Sequence, residues 1–472
     1  MNDASPESVM RDLGGFSEIY RGRPDSGAPP PFDAASGIVA PEYSQDDIAL
    51  AFSRTHDGDL IYVPTWGHWL KWDVCRWRPD DTLRVYDLAR AECRSAAARL
   101  GNEKPLAREL TAAGTVAAIE RLARSDRRHA RRADDFDADP WELNTPAGVI
   151  DLRSGAMRPH QRGDMFTKVT AASPWGECPR WRQFLAEITN GDAALVSYLQ
   201  RMFGYTLSGI TREHVFSFLW GPGGNGKSVM LGTIAAMLGD YATTAMSDVF
   251  QVGRNDQHPA HLASLRGARM VIVSEVEEGK PWAEARIKSL TGGDKISARV
   301  MRGNPFEFSP VFKLWIAGNH QPALRNPDPA MRRRLHLVPL IFVPPKPDTN
   351  LAEALRAELP GVLAWALDGC AAWQRDGLNP PPVVTAATAE YFSDQDGIAA
   401  WIAERCRKDA RSELPVRRAF EDWKRWAIAS GEEPGTEKRF SAEVQQRFAK
   451  QKTRAGMAFL GVTLLPSETG AW

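Results

Sequence analysis

The sequence predicts an α/β fold: a sheet of parallel strands built around a phosphate-binding loop, with a smaller module before it and another behind it. Three observations predict it. The apolar run His214–Trp220 passes directly into GPGGNGKS (Gly221–Ser228) and then into VMLGTIAAML, where Met230, Ile234 and Met237/Leu238 recur at helical spacing. Met270–Val273 is a compact apolar run followed by acidic residues, and Phe312–Gly318 is another that ends at Asn319. Uninterrupted apolar strands of this kind have both faces covered, as in sheets flanked by helices on both sides.

Composition bounds the rest. A chain of 472 residues has the length of about three domains and of a large buried core. The formal net charge of +0 excludes a basic nucleic-acid coat, so any contact with a polyanion must come from local patches or from an assembly that concentrates them. The cysteines (Cys75, Cys93, Cys178, Cys370, Cys406) are scattered and form no CxxC pair, which argues for a reducing cytosol and against structural zinc. With no signal-peptide pattern and no long uncharged apolar run, the expectation is a soluble cytoplasmic protein, in a bacterial or other host cell, without a membrane partner.

Residues 1–45, rich in Pro, Gly, Ser and Asp, are expected to be an irregular leader. The second segment, 46–175, opens with short strands at Leu60–Tyr62, Trp69–Trp72 and Cys75–Trp77, then a helix over Thr82–Leu100 with Val85, Leu88 and Ala89 on one face. Trp66, Trp69, Trp72 and Trp77 suit either a base-stacking platform or a small Trp-packed core, and the core reading is preferred. Arg121–Arg132 is a basic stretch beside the acidic Asp134–Asp139, open to self-pairing or to a DNA contact. Asn144–Gly148 reads as a turn and Val149–Leu152 as a strand.

The third segment, 176–375, holds the chemistry. Trp181, Phe184, Leu185 and Ile188, then Leu195, Tyr198, Leu199 and Met202, mark a helical region leading to the loop strand. Gly221, Pro222, Gly223, Gly224, Asn225, Gly226, Lys227 and Ser228 fit G-x-x-x-x-G-K-[ST], the P-loop. Glycines let the backbone wrap phosphate closely, and the helix N-terminus points its N–H groups at the same place. Lys227 would reach the β- and γ-phosphates and Ser228 would ligate Mg2+, which makes this an ATP-type nucleotide site. Past Val273, on a strand taken to lie beside the P-loop strand, Glu275 is the candidate for polarising the attacking water. Glu277 is a second acid that could help hold Mg2+ or could lie on the surface. Asn319 can hold that water or sense the γ-phosphate. Arg332–Arg334 suits an arginine finger offered to a neighbouring subunit, a solvated cluster, or a phosphate-backbone contact. Ile296–Met301 and Pro305–Phe308 read as a hairpin turning at Arg302–Gly303–Asn304, with Lys295, Arg299 and Arg302 making it basic. An extra strand is expected between the P-loop strand and the Asn-tipped one, the arrangement of an oligomeric motor. Leu351–Trp373 reads as a closing helix.

In the last segment, 376–472, Ile398/Trp401/Ile402, Val416/Phe420/Trp423 and Phe440/Val444/Phe448 mark three helices, and Met457–Leu465 a strand or hairpin. That order suggests a winged-helix-like domain, with Arg447, Lys450, Lys452 and Arg454 where DNA would be met; a protein-interaction role is the other reading.

Taken together, ELNTPAGVIDLRSG, CPRWRQFLAEITNGD, YLQRMFGYTLSG, GPGGNGKS, SEVEEG, IKSLTGGDKISARVMRG, LWIAGN and AMRRRL occur in order from about Asp57 onward. The chain resembles the superfamily III helicases of the phage/plasmid primase–helicase group and is similar to the poxvirus primase–helicase. The resemblance implies an AAA+-like core and a homo-hexameric ring that threads single-stranded DNA 3′ to 5′ using ATP and Mg2+. By it, Lys295, Arg299, Arg302 and Asn304 belong to the DNA-gripping hairpin, Asn319 is the sensor, and Arg333 and Arg334 lie in the region that supplies the finger. Ser274 departs from the acidic pair of the wider class. Only a short leader precedes the resemblance, so a separate primase or polymerase is the expected partner. Forked DNA would be the substrate; a nucleotide-switched initiator or loader is the alternative, and a small-molecule kinase a distant third.

Overall fold

The computed structural model describes residues 40–251, 260–273, 282–299, 304–321, 324, 328–345, 348–394, 396–430, 434–453 and 456–465. The chain divides into two compact units, Met1–Ala138 with Pro159–Lys168, and Asp139–Arg158 with Val169–Trp472.

In the first unit α1 (Gln45–Thr55) starts at Ser44, whose hydroxyl accepts the Asp47 N–H at 3.1 Å, with Asp46 and Asp47 at the positive end of the helix dipole. Strands β1 (Leu60–Val63), β2 (His68–Trp72) and β3 (Trp77–Pro79) form an antiparallel meander. The third strand begins at Trp77 rather than ending there, because the Asp73 carboxylate accepts the Arg76 N–H at 3.1 Å and turns the chain before it. Helices α2 (Arg84–Arg99), α3 (Lys104–Leu110) and α4 (Ala113–Ala123) complete the unit. Trp69 and Trp77 are buried, and the Trp69 indole N–H donates to Glu120 at 2.6 Å. The tryptophans pack a core, as preferred from the sequence. Arg124 is committed to Glu120 at 2.8 Å and Arg128 to Asp126 at 3.0 Å, so part of the basic stretch is spent within the unit.

The second unit opens with the hairpin β4 (Glu142–Thr145), β5 (Gly148–Asp151) and β6 (Met157–Arg158). Asn144 belongs to strand β4, paired with Val149, and the turn is confined to Pro146–Ala147. Helices α5 (Pro179–Ile188) and α6 (Ala193–Leu207) follow. The sheet is built from β7 (Phe216–Trp220), β8 (Ala242–Ala245), β9 (Met270–Val273), β12 (Lys313–Gly318) and β13 (Leu335–Pro339), all parallel, in the order β13-β7-β12-β9-β8. β12 therefore lies between β7 and β9. The expected extra strand between the P-loop strand and the Asn-tipped one is absent from the described sheet: those two strands are direct neighbours, and β9, which leads to Glu275, is one place further out. Burial explains the order. Every residue of β12 is buried, with Trp315 and Ala317 facing one core and Leu314 and Ile316 the other, so it belongs at the centre.

α7 (Lys227–Leu238) follows β7 across the loop, and the short α8 (Ala260–Ala263) precedes β9. α9 (Glu284–Gly292) leads to the hairpin β10 (Ile296–Arg299) and β11 (Pro305–Phe308), and the short α10 (Pro329–Arg332) leads to β13. The expected helix after Leu351 is two, α11 (Leu351–Ala357) and α12 (Leu359–Asp376), because Pro360 has no N–H to continue the first. Between them the Glu358 carboxylate accepts the N–H groups of Arg180 and Trp181 at 3.0 and 2.9 Å, capping α5. α12 crosses α6 with backbones in contact: a Cβ on Gly204 would lie 2.1 Å from Cys370 N, and one on Gly369 would lie 2.0 Å from Gln200 O.

After α13 (Pro382–Asp394) come α14 (Gly397–Arg405), β14 (Cys406–Pro415), α15 (Val416–Ala429), α16 (Glu437–Gln445), β15 (Lys450–Thr453) and β16 (Gly456–Leu464). The strands form an antiparallel sheet in the order β14-β16-β15 around Trp401, Trp423, Phe440 and Phe459. Strands β14 and β15, highly charged and without an apolar run, were not expected from the sequence. No helix among the described residues is long and apolar enough to cross a membrane.

Candidate nucleotide site

The loop between β7 and α7 needs its glycines for space. A Cβ on Gly221 would lie 2.0 Å from the Leu340 carbonyl oxygen. Gly226, the residue before α7, has φ +85°, and a Cβ there would lie 2.9 Å from both Ile188 Cγ2 and Phe184 Cε2. The α7 N-terminus thus sits tightly against α5, and a helix start of this kind offers its first N–H groups to an anion.

Gly223 to Ser228 and Asn319 line one cavity of about 930 Å³. Because Gly318 pairs with Trp220 across β12 and β7, Asn319 emerges directly beside Gly221. Ser228 and Asn319 are exposed to the cavity, and Lys227 is buried in its floor. Lys227 Nζ donates to the carbonyls of Gly221 and Pro222 at 2.7 and 2.9 Å and to Asn225 Oδ1 at 2.9 Å. Burial pushes the Lys227 ammonium below its ordinary pKa. The far walls were not legible in the sequence: Arg180, Phe184 and Ile188 of α5 on one side, Phe342, Pro344 and Asp348 on the other. Arg180 ties the walls together, reaching Asp348 at 3.2 Å and Glu187 at 3.4 Å.

Other expected residues lie elsewhere. β9 ends at the same edge of the sheet, with Val273 paired to Ile316, but Ser274, Glu275 and Glu277 lie outside the described residues. Arg333 and Arg334 stand at the opposite edge, since they precede β13 and Leu335 pairs with Phe216 at the start of β7. At about 3.3 Å per residue, the five residues of β13 separate them from the P-loop by roughly 16 Å. The Arg334 guanidinium donates to the Ala330 carbonyl at 3.0 Å and Arg332 lies 5.1 Å over the Phe392 ring. The Arg333 side chain is exposed and makes no hydrogen bond or ion pair among the described residues. The basic hairpin starts at this same edge: His214, just before β7, has its Nδ1 3.1 Å from the Thr291 carbonyl oxygen of α9. Lys295, Arg299 and Asn304 are exposed on the hairpin; Arg302 lies outside the described residues.

These features define an α/β protein with a P-loop NTPase-like core. The D5 N-terminal-like family model matches residues 49–190, and a family of unknown function (DUF5906) matches residues 219–334. "Putative helicase 022R" of Frog virus 3 (isolate Goorha) is 28% identical over 330 residues, 64% of this chain and 32% of that protein. "Putative helicase L207/L206" of Acanthamoeba polyphaga mimivirus is 27% identical over 234 residues, 45% of this chain and 24% of that protein. The aligned stretch is thus a third or less of the length of these relatives. The A-form apo structure of the NrS-1 C-terminal region aligns with 87% of this chain and 99% of that one, at 9% identity and a TM-score of 0.49, a likeness on which nothing rests. The domain matches and viral relatives support a likeness to the phage and viral primase–helicase family.

Proposed function

We propose that the chain is an ATP-dependent replicative DNA helicase of a phage, plasmid or other mobile element, acting as a ring of six copies on single-stranded DNA. The observation that carries this reading is the split of its site residues between two edges of one sheet. Gly223–Ser228 and Asn319 share a cavity at one edge, while Arg333, Arg334 and the base of the basic hairpin gather at the other. A single copy then holds the phosphate half of a site, and its arginines serve the copy next door. Arg333, exposed and unengaged among the described residues, suits the finger better than Arg334.

In this reading the α7 N–H groups and Lys227 hold the ATP phosphates, Ser228 holds Mg2+, Glu275 orients water with Glu277 near the metal, and Asn319 senses the γ-phosphate. ATP with Mg2+ supplies the phosphoryl chemistry; the protein positions it and neutralises charge. Lys295, Arg299, Arg302 and Asn304 grip DNA. The helix–strand–helix–helix–strand–strand order of 397–464 is that of a winged helix and supports a DNA-binding domain over 376–472. The D5 N-terminal-like match supports a helicase-associated domain over 46–175, ahead of an AAA+-like ATPase domain over 176–375. Movement 3′ to 5′, a separate primase or polymerase partner and action in the host cytoplasm come with the family resemblance.

The wild-type chain should hydrolyse ATP faster with single-stranded DNA and unwind a forked duplex. Lys227→Ala should lower hydrolysis more than about a hundred-fold, the scale for removing a preorganised charge at a reacting phosphoryl group. A chain that hydrolyses ATP yet neither binds nor unwinds forked DNA would defeat the helicase reading in favour of an initiator or loader.

A further inference from the structure

We propose that Asn225 is a positioning residue: it holds Lys227 in place and ties it to the segment that forms the opposite wall of the cavity. The inference rests on the nucleotide-site reading above.

Asn225 is 2% exposed and bonded at both ends. Its Oδ1 accepts from Lys227 Nζ at 2.9 Å, and its Nδ2 donates to the Leu340 carbonyl. Leu340 is the residue after the end of β13, and the chain runs on from it to Phe342 and Pro344, which line the cavity. The geometry calls for an amide. A carboxylate has no donor for Leu340, an aliphatic side chain has neither group, and a hydroxyl is too short to serve both ends. Gly221 makes the span possible: a Cβ there would lie 2.6 Å from Asn225 Nδ2 and 2.0 Å from the Leu340 oxygen, so the loop and the end of β13 meet backbone to backbone.

The ammonium has three acceptors around it, two of them carbonyls of the loop itself and the third on Asn225. The carbonyls move with the loop. Among the described residues Asn225 is the side chain that joins the ammonium directly to Leu340, beside the backbone bond from the Leu340 N–H to the Trp220 carbonyl at 2.7 Å, so a shift of residues 340–345 reaches Lys227 most directly through it. Asn225 needs no contact with nucleotide for that purpose; it acts through the lysine.

A double-mutant cycle on the full chain tests this, reading affinity for ATP with Mg2+ in wild type, Asn225→Ala, Lys227→Ala and the double variant. Asn225→Ala should weaken binding by roughly ten- to a hundred-fold, the range for a lost hydrogen bond to a charged group. In the Lys227→Ala background the same change should cost less than about two-fold, because the two residues act as one unit. Asn225→Asp should bind more weakly than Asn225→Ala, since it faces the Leu340 carbonyl and the phosphates with negative charge. Equal losses in both backgrounds would mean that Asn225 only supports the fold, and an unaffected Asn225→Ala would overturn the proposal outright. If Asn225→Ala melts early, Asn225→Ser carries the same cycle. Absence of ATP binding by the wild-type chain is the separate result that removes the site reading and this inference with it.

Discussion

Two lysines at opposite edges of the parallel sheet are nearly alike in chemistry and unlike in surroundings. Lys227 is 6% exposed and Lys313 is 1% exposed, and burial pushes both ammonium groups below their ordinary pKa. Both donate to backbone carbonyls, Lys227 to Gly221 and Pro222, Lys313 to Ser208 and, at 3.4 Å, to Val311. Lys313 also lies 4.4 Å over the Tyr205 ring, and the nearby Arg269 donates to the Leu207 carbonyl. Two cations thus cap the C-terminal end of α6, where the helix dipole favours them. The difference is access. Lys227 borders a cavity of about 930 Å³, whereas Lys313 is sealed among protein groups. A buried, perturbed cation is therefore not in itself a sign of chemistry; a buried cation with room for an anion beside it is a candidate.

The sharpest way to test the contrast is to ask whether the two edges work together across copies. Arg333→Ala should reduce ATP hydrolysis by about 10³-fold or more, as loss of an arginine finger does, with ATP affinity near wild type. Mixing it with Lys227→Ala should restore part of the activity, because some interfaces would pair an intact loop with an intact arginine; a mixture as inactive as its parts would argue against shared sites. At the sealed edge the expected loss is of stability. Lys313→Ala leaves carbonyls without a donor and a void beside Tyr205, and should cost about 3 kcal/mol in urea unfolding while hydrolysis per folded molecule is kept. The smallest effect concerns His336 on β13, whose Nδ1 lies 2.7 Å from the Tyr198 hydroxyl and whose pKa burial lowers to about 4. The unfolded chain binds the proton more readily, near pH 6.5, so this stability is complete above that pH and is lost as pH falls towards 4. By pH 5.5 the loss should be about 1.4 kcal/mol, and His336→Gln should flatten the melting profile over that window.

Much of the central sheet is legible in the sequence because strands covered on both faces show as mainly apolar runs. β7, β9 and β12 all declare themselves in this way, and the polar residue ending β12 points straight to Asn319. Lateral order is not legible. Which parallel strands pair is decided by how deeply each is buried in the finished fold, and that placed β12 rather than β9 against β7. The same rule hid Lys313, which reads as part of an apolar run although it brings a charge into the core. β14 and β15 escaped because their charged residues carry no apolar signal, and their pairing depends on β16. The walls of the cavity come from residues as far apart as Arg180 and Asp348, joined by an ion pair that no local pattern announces.

The crossing of α6 and α12 has a kinematic consequence. With Gly204 against Cys370 and Gly369 against Gln200, each helix meets the other's backbone through a glycine. Moving either one along its axis by a single residue, 1.5 Å, would bring Phe203, Tyr205 or Cys370 toward backbone that has no space for it. Sliding is thus blocked. α12 is held at a second point as well, where a Cβ on Gly361 would lie 2.3 Å from the Glu177 carbonyl oxygen, so the helix is fixed as a strut rather than left to swing.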